Sequence, residues 1–295
     1  MKSRIENIPN NKTLPKQYEH ENEMFIMWLL FDHEPVRPDS AKIRNALEEK
    51  FGAVSAVSEG NEVTSFGIKK YISHMKEGDI PSQVIMGNIM PFDTSCISDE
   101  ERLQIRDIEN RDAFLKKCTH KILAADMMAA LAPHDRAELL MDWLETAVEL
   151  LPDCRGIYFP SSGKVIPSSF VKNKSAEGED RFVFYTVNTR FFNVSGSSDM
   201  LADTRGMSAV GLTDIQCHFN GMSPENVINY LYNIAALTCQ PGIKIKDGDT
   251  IDGLNGDEID PDAMWACRYE DAMIPPMRPV IDICPGKYAA GQREK

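Results

Sequence analysis

No apolar run in this 295-residue chain approaches the roughly 20 residues that a bilayer-crossing helix requires. The longest, Met24 to Phe31, has the length of a buried strand. The stretch from Met1 to Glu23 is polar, with neither a hydrophobic region nor a small-residue cleavage site, so no secretory signal is expected. No cluster of lysine and arginine stands out, and 32 basic residues face 45 acidic ones, for a formal charge of −13. That balance repels phosphate backbones and anionic headgroups, so neither nucleic acid nor a membrane surface is expected as a partner. A basic protein is the partner class that the charge favours. Cysteine pairs at metal or redox spacing are missing too. The seven cysteines (Cys96, Cys118, Cys154, Cys217, Cys239, Cys267 and Cys284) are scattered, odd in number and mostly set among apolar neighbours. They read as buried free thiols of a reducing cytoplasm.

Familiar catalytic signatures are absent as well: no Gly-x-Ser-x-Gly, His-Glu-x-x-His, Cys-x-x-Cys or Gly-x-Gly-x-x-Gly occurs. Two partial matches fail at named positions. Ser161-Ser162-Gly163-Lys164 ends like a phosphate-binding loop, but the glycine and hydroxyl positions hold Tyr158 and Val165. The acidic stretch Asp247 to Asp262 matches a calcium loop at Asp247, Asp249 and Glu258, but Ile251 and Asp252 stand where an oxygen ligand and a glycine are required. It reads instead as a solvated acidic turn. The histidines outside the region discussed below (His20, His33, His74, His120 and His134) stand singly. No metal and no cofactor is expected from these residues. The fifteen methionines, among them Met127 and Met128, read as gap-filling core.

What is present is core-forming material. Hydrophobic residues make up 42% of the chain, enough to bury a sizeable interior. After a polar arm over 1–22, a strand is expected at Met24–Asp32. A helix follows, capped by Asp39, with Ile43, Leu47 and Phe51 on one stripe and Gly52 as its stop. Strands are expected at Val54–Ser58, Val63–Lys70 and Gln83–Met90, giving a β-α-β-β-β unit over 23–95. From Ser98 to Leu151 there is one proline and no glycine. Phe114, Cys118, Ile122, Ala125 and Ala129 form one stripe, and Leu140, Leu144, Ala147 and Leu151 another, widened by Leu139, Trp143 and Val148. A helical hairpin over 96–155 follows, expected to pack against a sheet; an assembly module with this hairpin as dimer face is a third functional reading. Pro160–Asp180 reads as a loop or boundary. Beyond it, strands are expected at Arg181–Phe192, Met207–Phe219, Trp265–Glu270 and Pro279–Cys284. A helix capped by Ser223 starts at Pro224 and buries Val227, Ile228, Leu231, Ala235 and Thr238. The expected class is α+β, with mixed, largely antiparallel sheets, amphipathic helices packed on one face and a helical hairpin in the middle. The segment 156–290 forms its C-terminal α+β unit.

Several blocks of that unit carry a likeness: Asp203-Thr204-Arg205-Gly206-Met207, Gly211-Leu212-Thr213-Asp214-Ile215-Gln216-Cys217-His218-Phe219, Leu231-Tyr232-Asn233-Ile234-Ala235, Asp247-Gly248-Asp249-Thr250-Ile251 and Trp265-Ala266-Cys267-Arg268-Tyr269-Glu270. From Asp203 to Cys284 the chain resembles a bacterial family known as a domain of unknown function, DUF4261. The resemblance implies no activity. Met24 to Asp93 looks like what often precedes this domain.

Within the same segment lies the sharpest polar cluster. On a strand at 214–219, alternation places Asp214, Gln216 and His218 on one face and Ile215, Cys217 and Phe219 on the other. Adjacent Cys217 and His218 then point apart and do not form a nucleophile–base pair. Asp203, Arg205, Arg268 and Glu270 are candidates to join that face, either as an anion-binding site or as structural ion pairs. The candidate ligand-binding cluster is therefore Asp203, Arg205, Asp214, Gln216, His218, Arg268 and Glu270. The expectation is a non-enzymatic cytoplasmic binding or regulatory protein, of immunity type by analogy. A small-molecule enzyme or sensor around Arg205, Gln216 and His218 is the alternative.

Overall fold

The computed structural model describes residues 4–5, 24–76, 78–127 and 129–291. Apart from a two-residue strand, β1 (Arg4–Ile5), the expected N-terminal arm lies outside the described residues, as does Met128. The chain divides into two compact units: Glu21–Thr186 with Ala209–Gly211, and Val187–Ser208 with Leu212–Lys295 and Met1–His20. Both are α+β and largely antiparallel, and among the described residues no helix is long and apolar enough to cross a membrane.

The first unit is a seven-stranded sheet. Its elements are β2 (Ile26–Phe31), α1 (Ser40–Phe51), β3 (Val54–Glu59), β4 (Thr64–Met75), β5 (Gly78–Pro91), α2 (Asp99–Leu103), α3 (Arg111–Lys117), β6 (His120–Met127), α4 (Pro133–Leu150), β7 (Gly156–Phe159), β8 (Lys164–Pro167), α5 (Ser168–Lys172) and α6 (Arg181–Thr186). The strand order is β3-β4-β5-β6-β2-β7-β8. Helix α1 forms where its signals place it. The Asp39 carboxylate accepts from Lys42 N at 2.8 Å, Ile43, Leu47 and Phe51 are buried, and Gly52 ends the helix at φ +79°. Helix α4 starts on Pro133 and buries Leu139, Leu140, Trp143, Leu144, Ala147 and Val148.

The helical hairpin is not there. Its first half divides into the short α3 and the strand β6, so Phe114 and Ile122 belong to different elements. Strand β6 is paired on both sides, with β5 and β2, and Ile122, Ala124, Ala125 and Asp126 are all buried. A strand buried on both faces loses its alternation, and an Ala-rich run then mimics one face of a helix. Without that hairpin the proposed dimer face disappears. Likewise Pro160–Asp180 is no boundary. It holds the β7–β8 turn, in which Ser162 N and Gly163 N both donate to Phe159 O, followed by β8 and α5. The expected strand at Arg181–Phe192 begins as α6 and becomes strand only from Asn188. Met127, expected in the core, is exposed at the end of β6.

Asp32, at the end of β2, accepts from Arg155 Nε and Nη2 at 2.9 and 2.8 Å and from His33. The Arg155 bond, then the His33 bond, hold its carboxyl at about 2. A folded-state value below the unfolded one stabilises the protein above the ordinary carboxylate range, and that contribution is lost as pH falls from about 4 toward 2. The pair is partly exposed, so its worth is at most about 1 kcal/mol. Arg155→Ala should move the Asp32 carboxyl titration, followed by carbon NMR, up toward about 3.9. An unmoved titration would show that Arg155 is not the cause. Burial acts oppositely on the thiols, pushing Cys118 up to about 11 and Cys154 to about 12, which keeps both protonated and inert.

The second unit contains β9 (Asn188–Val194), β10 (Met200–Arg205), β11 (Asp214–Phe219), α7 (Pro224–Cys239), β12 (Thr250–Asn255), β13 (Glu258–Asp271) and β14 (Pro279–Cys284). The order is β1-β9-β10-β11-β14-β13-β12, with β11 parallel to β14 and β1 parallel to β9. Helix α7 packs on β9, β10 and β11 through Val227, Leu231, Ile234, Ala235 and Thr238. Much of the expected acidic turn is a β12–β13 hairpin. Two of its carboxylates are held by backbone N–H: Asp247 accepts from Tyr269 N on β13 and Asp249 from the nearby Lys246 N. Both units share one layout, a central strand, then a helix, then a meander returning beside that strand. The meander has four strands after β2 and three after β11, so its last strand returns antiparallel in the first unit and parallel in the second.

At the β12–β13 irregularity, Gly253 lies under Trp265. A methyl there would meet the indole nitrogen at 2.4 Å and Ala263 O at 2.5 Å. Trp265 also packs edge-on against Tyr230 of α7, so it has little room to retreat. Gly253→Ala should therefore lower stability by about 1–3 kcal/mol in urea titrations. A change within about 0.5 kcal/mol would mean that the bulge yields freely.

Candidate functional site

Strand β11 alternates as its sequence requires. Cys217 lies close enough to Tyr230 of α7 to act on its hydroxyl electrostatically, which puts Ile215, Cys217 and Phe219 on the helix side. Asp214, Gln216 and His218 take the other face, and all three are buried. Cys217 and His218 thus point apart.

The register across the sheet builds a row on that second face. Arg190 is opposite Asp203, Asp203 opposite Gln216, Gln216 opposite Asp282, and Asp282 opposite Arg268. Five strands contribute one residue each. Arg190 donates Nε to Asp203 Oδ1 at 2.8 Å and Nη2 to Oδ2, a bidentate pair. Gln216 donates Nε2 to Asp282 Oδ1 at 3.1 Å. Beside this row, Asp214 Oδ1 accepts from Met207 N at 3.0 Å and from the Thr204 hydroxyl, which itself accepts from Ile215 N.

A strap covers the row from Arg190 to Gln216. The β13–β14 ladder ends at Asp271 opposite Pro279, and Ala272 N donates to Arg278 O at 2.8 Å to close the neck of the segment between. Met273 N donates to Gln216 Oε1 at 2.9 Å, and Arg190 Nη1 to Pro275 O at 2.9 Å. Ile274 packs with Phe192 and Leu201. Arg278 closes the arrangement. Its Nη2 donates to Asp203 Oδ2 at 2.7 Å and to Thr204 O at 2.8 Å, and its Nε to Asp214 Oδ2 at 2.8 Å. Burial works against the Arg278 charge, but Asp214 and Asp203 more than offset it, so its pKa stands above the ordinary arginine value.

Of the seven residues expected to cluster, three sit at the centre of this arrangement and Arg268 at the end of the row. Asp203, Asp214 and Gln216 come together in the network. His218 lies toward the other end of β11, opposite Leu201, with Nε2 3.9 Å from Asp199 Oδ2 and its ring against Gly291. Arg205 is half-buried at the end of β10, and the strand rise separates it from His218 by roughly 13 Å. Arg268 is exposed, and Glu270 is half-buried opposite Val280. Neither the Arg205 nor the His218 position is at the centre of the network.

Three network members escaped sequence reasoning: Arg190, Asp282 and Arg278. Arg190 fell inside an expected strand, and counting by twos from the apolar Phe192 would have placed it on the same face. Asp282 sits in an apolar run, Val280 to Cys284, where a lone carboxylate is itself a signal of a buried partner. Nothing local marks Arg278, which sits between Met277 and Pro279 after two prolines.

Chemically, the arrangement holds a guanidinium, with two carboxylates and a carbonyl converging on Arg278. Among the described residues, no group of three or more His, Cys, Asp or Glu is placed to hold a metal ion. No curated protein and no solved structure matches the chain. Residues 203–284 match the family model described as a domain of unknown function (DUF4261), a span that runs from Asp203 to the end of β14 and includes the strap and most of the row. The matched span is a little over a quarter of the chain, and over it the chain is similar to the DUF4261 family.

Proposed function

We propose that this is a non-enzymatic binding or regulatory protein of the cytoplasm, which engages a basic protein partner as immunity-type proteins do. The observation that carries this reading is the ion-paired state of the polar face. Asp203 and Asp214, the carboxylates best placed to act as a base, are 0% and 2% exposed and bonded to Arg190 and Arg278. Their oxygens are occupied by N–H groups of arginine and, at Asp214 Oδ1, of Met207, which leaves no open side to present to a substrate. Negative charge is available instead on the surface: Asp247, Asp252, Asp257, Glu258 and Asp262 are exposed along and beside the β12–β13 hairpin. The free cysteines, six of them buried, fit a reducing compartment. A small-molecule enzyme or sensor around Arg205, Gln216 and His218 is less favoured, because that reading needs the first and last of these to meet.

The test is capture from a host lysate at roughly 50 mM and roughly 500 mM salt, since surface charge pairing is screened between those limits. Basic proteins should be retained at low salt and released at high salt. Neutralising Asp252, Asp257, Glu258 and Asp262 to their amides should weaken the capture. A blank at low salt removes the reading.

A further inference from the structure

We propose that the strap from Ala272 to Arg278 is a displaceable plug. The floor beneath it is then a binding site for a guanidinium group, presented by an arginine of the basic partner. The identity of that partner rests on the function proposed above; the site itself does not.

Three observations support it. First, the strap is not needed to join its strands. β13 and β14 are neighbours paired up to Asp271 and Pro279, and a connection of two to five residues serves most antiparallel neighbours. The seven-residue excursion instead reaches over β10 and β11. Its neck is closed by the Ala272–Arg278 bond, so it can lift as a compact loop while the ladder stays paired. Second, the floor is made of acceptors. Asp203 Oδ2, Asp214 Oδ2 and Thr204 O receive Nη2 and Nε of one planar fork. Exchanging Arg278 for another guanidinium leaves the buried charge unchanged. A lysine ammonium would bring the charge without the fork, so the site selects arginine over lysine. Third, the strap presents its outer side to solvent. Pro275, Pro276 and Met277 are exposed, Met277 at 61%, and the two prolines offer no N–H. Arg278, Met273 N, Pro275 O and the Ile274 contact hold it to the floor.

The experiment has two arms on the full chain. In Arg278→Ala, millimolar guanidinium or methylguanidinium, far below denaturing levels, should raise the thermal midpoint saturably, and sodium chloride at equal concentration should not. In the unaltered protein, a hexa-arginine peptide should accelerate hydrogen exchange of the Met273 amide roughly tenfold, whereas hexa-lysine should not. The second arm stands even where the alanine variant fails to fold. Equal responses to guanidinium and sodium, or a Met273 amide unchanged by saturating hexa-arginine, would overturn the plug. Salt-sensitive capture of basic proteins by a chain whose strap never opens would remove this site and leave the proposed function intact.

Discussion

Arg278→Ala should be the most damaging single substitution in the second unit, lowering its stability by about 3–5 kcal/mol in urea titrations. The side chain touches two carboxylates that are almost wholly inside the protein. Asp203 would keep Arg190. Asp214 would be left with Met207 N and the Thr204 hydroxyl, and with no ion-pair partner among the described residues. An uncompensated buried carboxylate costs more than the pair contributes, because desolvation remains after the attraction has gone. Arg278→Lys should fall between, since one ammonium cannot reproduce both the Nε and Nη2 contacts. For a domain whose whole margin is about 5–15 kcal/mol, the alanine variant should be partly unfolded at physiological temperature. A loss no larger than that of an ordinary surface substitution, about 0.5 kcal/mol, would mean that the strap is ornamental.

That residue shows where sequence reading stops. Elements whose causes are local were legible. The Asp39 cap, the i, i+4, i+8 stripe and Gly52 define α1 within fourteen residues, and Ser223-Pro224 with the stripe from Val227 defines α7. The alternation of Asp214, Gln216 and His218 was legible because period two is a property of the strand alone. The partners of those residues were not. Which residue lies opposite Gln216 depends on the register of β10 and β14, set by hydrophobic faces many residues apart. The cluster was expected to include Arg205, Arg268 and Glu270 because they are near in the chain or on a plausible strand. The guanidinium that bridges Asp203 and Asp214 is Arg278, carried back by a strap with no periodicity. Strand β6 failed for another reason. Buried on both faces, Ile122 to Asp126 has no polar side to alternate with, and its two alanines tip local propensity toward helix. The acidic hairpin failed because Asp, Gly and Pro oppose strand propensity, whereas the packing of Trp265 on Tyr230 holds it.

Strand β6 also supplies the other large expected effect. Asp126 is 0% exposed and Arg136, on α4, is 3% exposed, with Nε donating to Oδ2 at 2.9 Å and Nη2 to Oδ1 at 3.2 Å. Phe25 N also donates to Asp126 Oδ1, at 2.7 Å. Burial pushes the Asp126 carboxyl above its ordinary range despite Arg136, so the charged pair is held against a desolvation penalty. Either Asp126→Leu or Arg136→Leu alone should lower stability by about 3–5 kcal/mol, because each leaves one buried charge without its partner. The double variant should lose far less than the sum. Phe25 N loses its acceptor in both variants that lack Asp126, so that loss cancels in the cycle. The pH dependence has a definite sign. In Arg136→Leu the raised carboxyl is neutral in the fold but ionised in the unfolded chain above about pH 4, so stability falls as pH rises from there to the folded-state pKa. The deficit against the parent should therefore shrink on acidification toward pH 4, and Asp126→Leu should show no such relief. Urea titrations of the four proteins at neutral and acidic pH decide the matter. Additive single losses would show that helix and strand are held by apolar packing, with the ion pair a bystander.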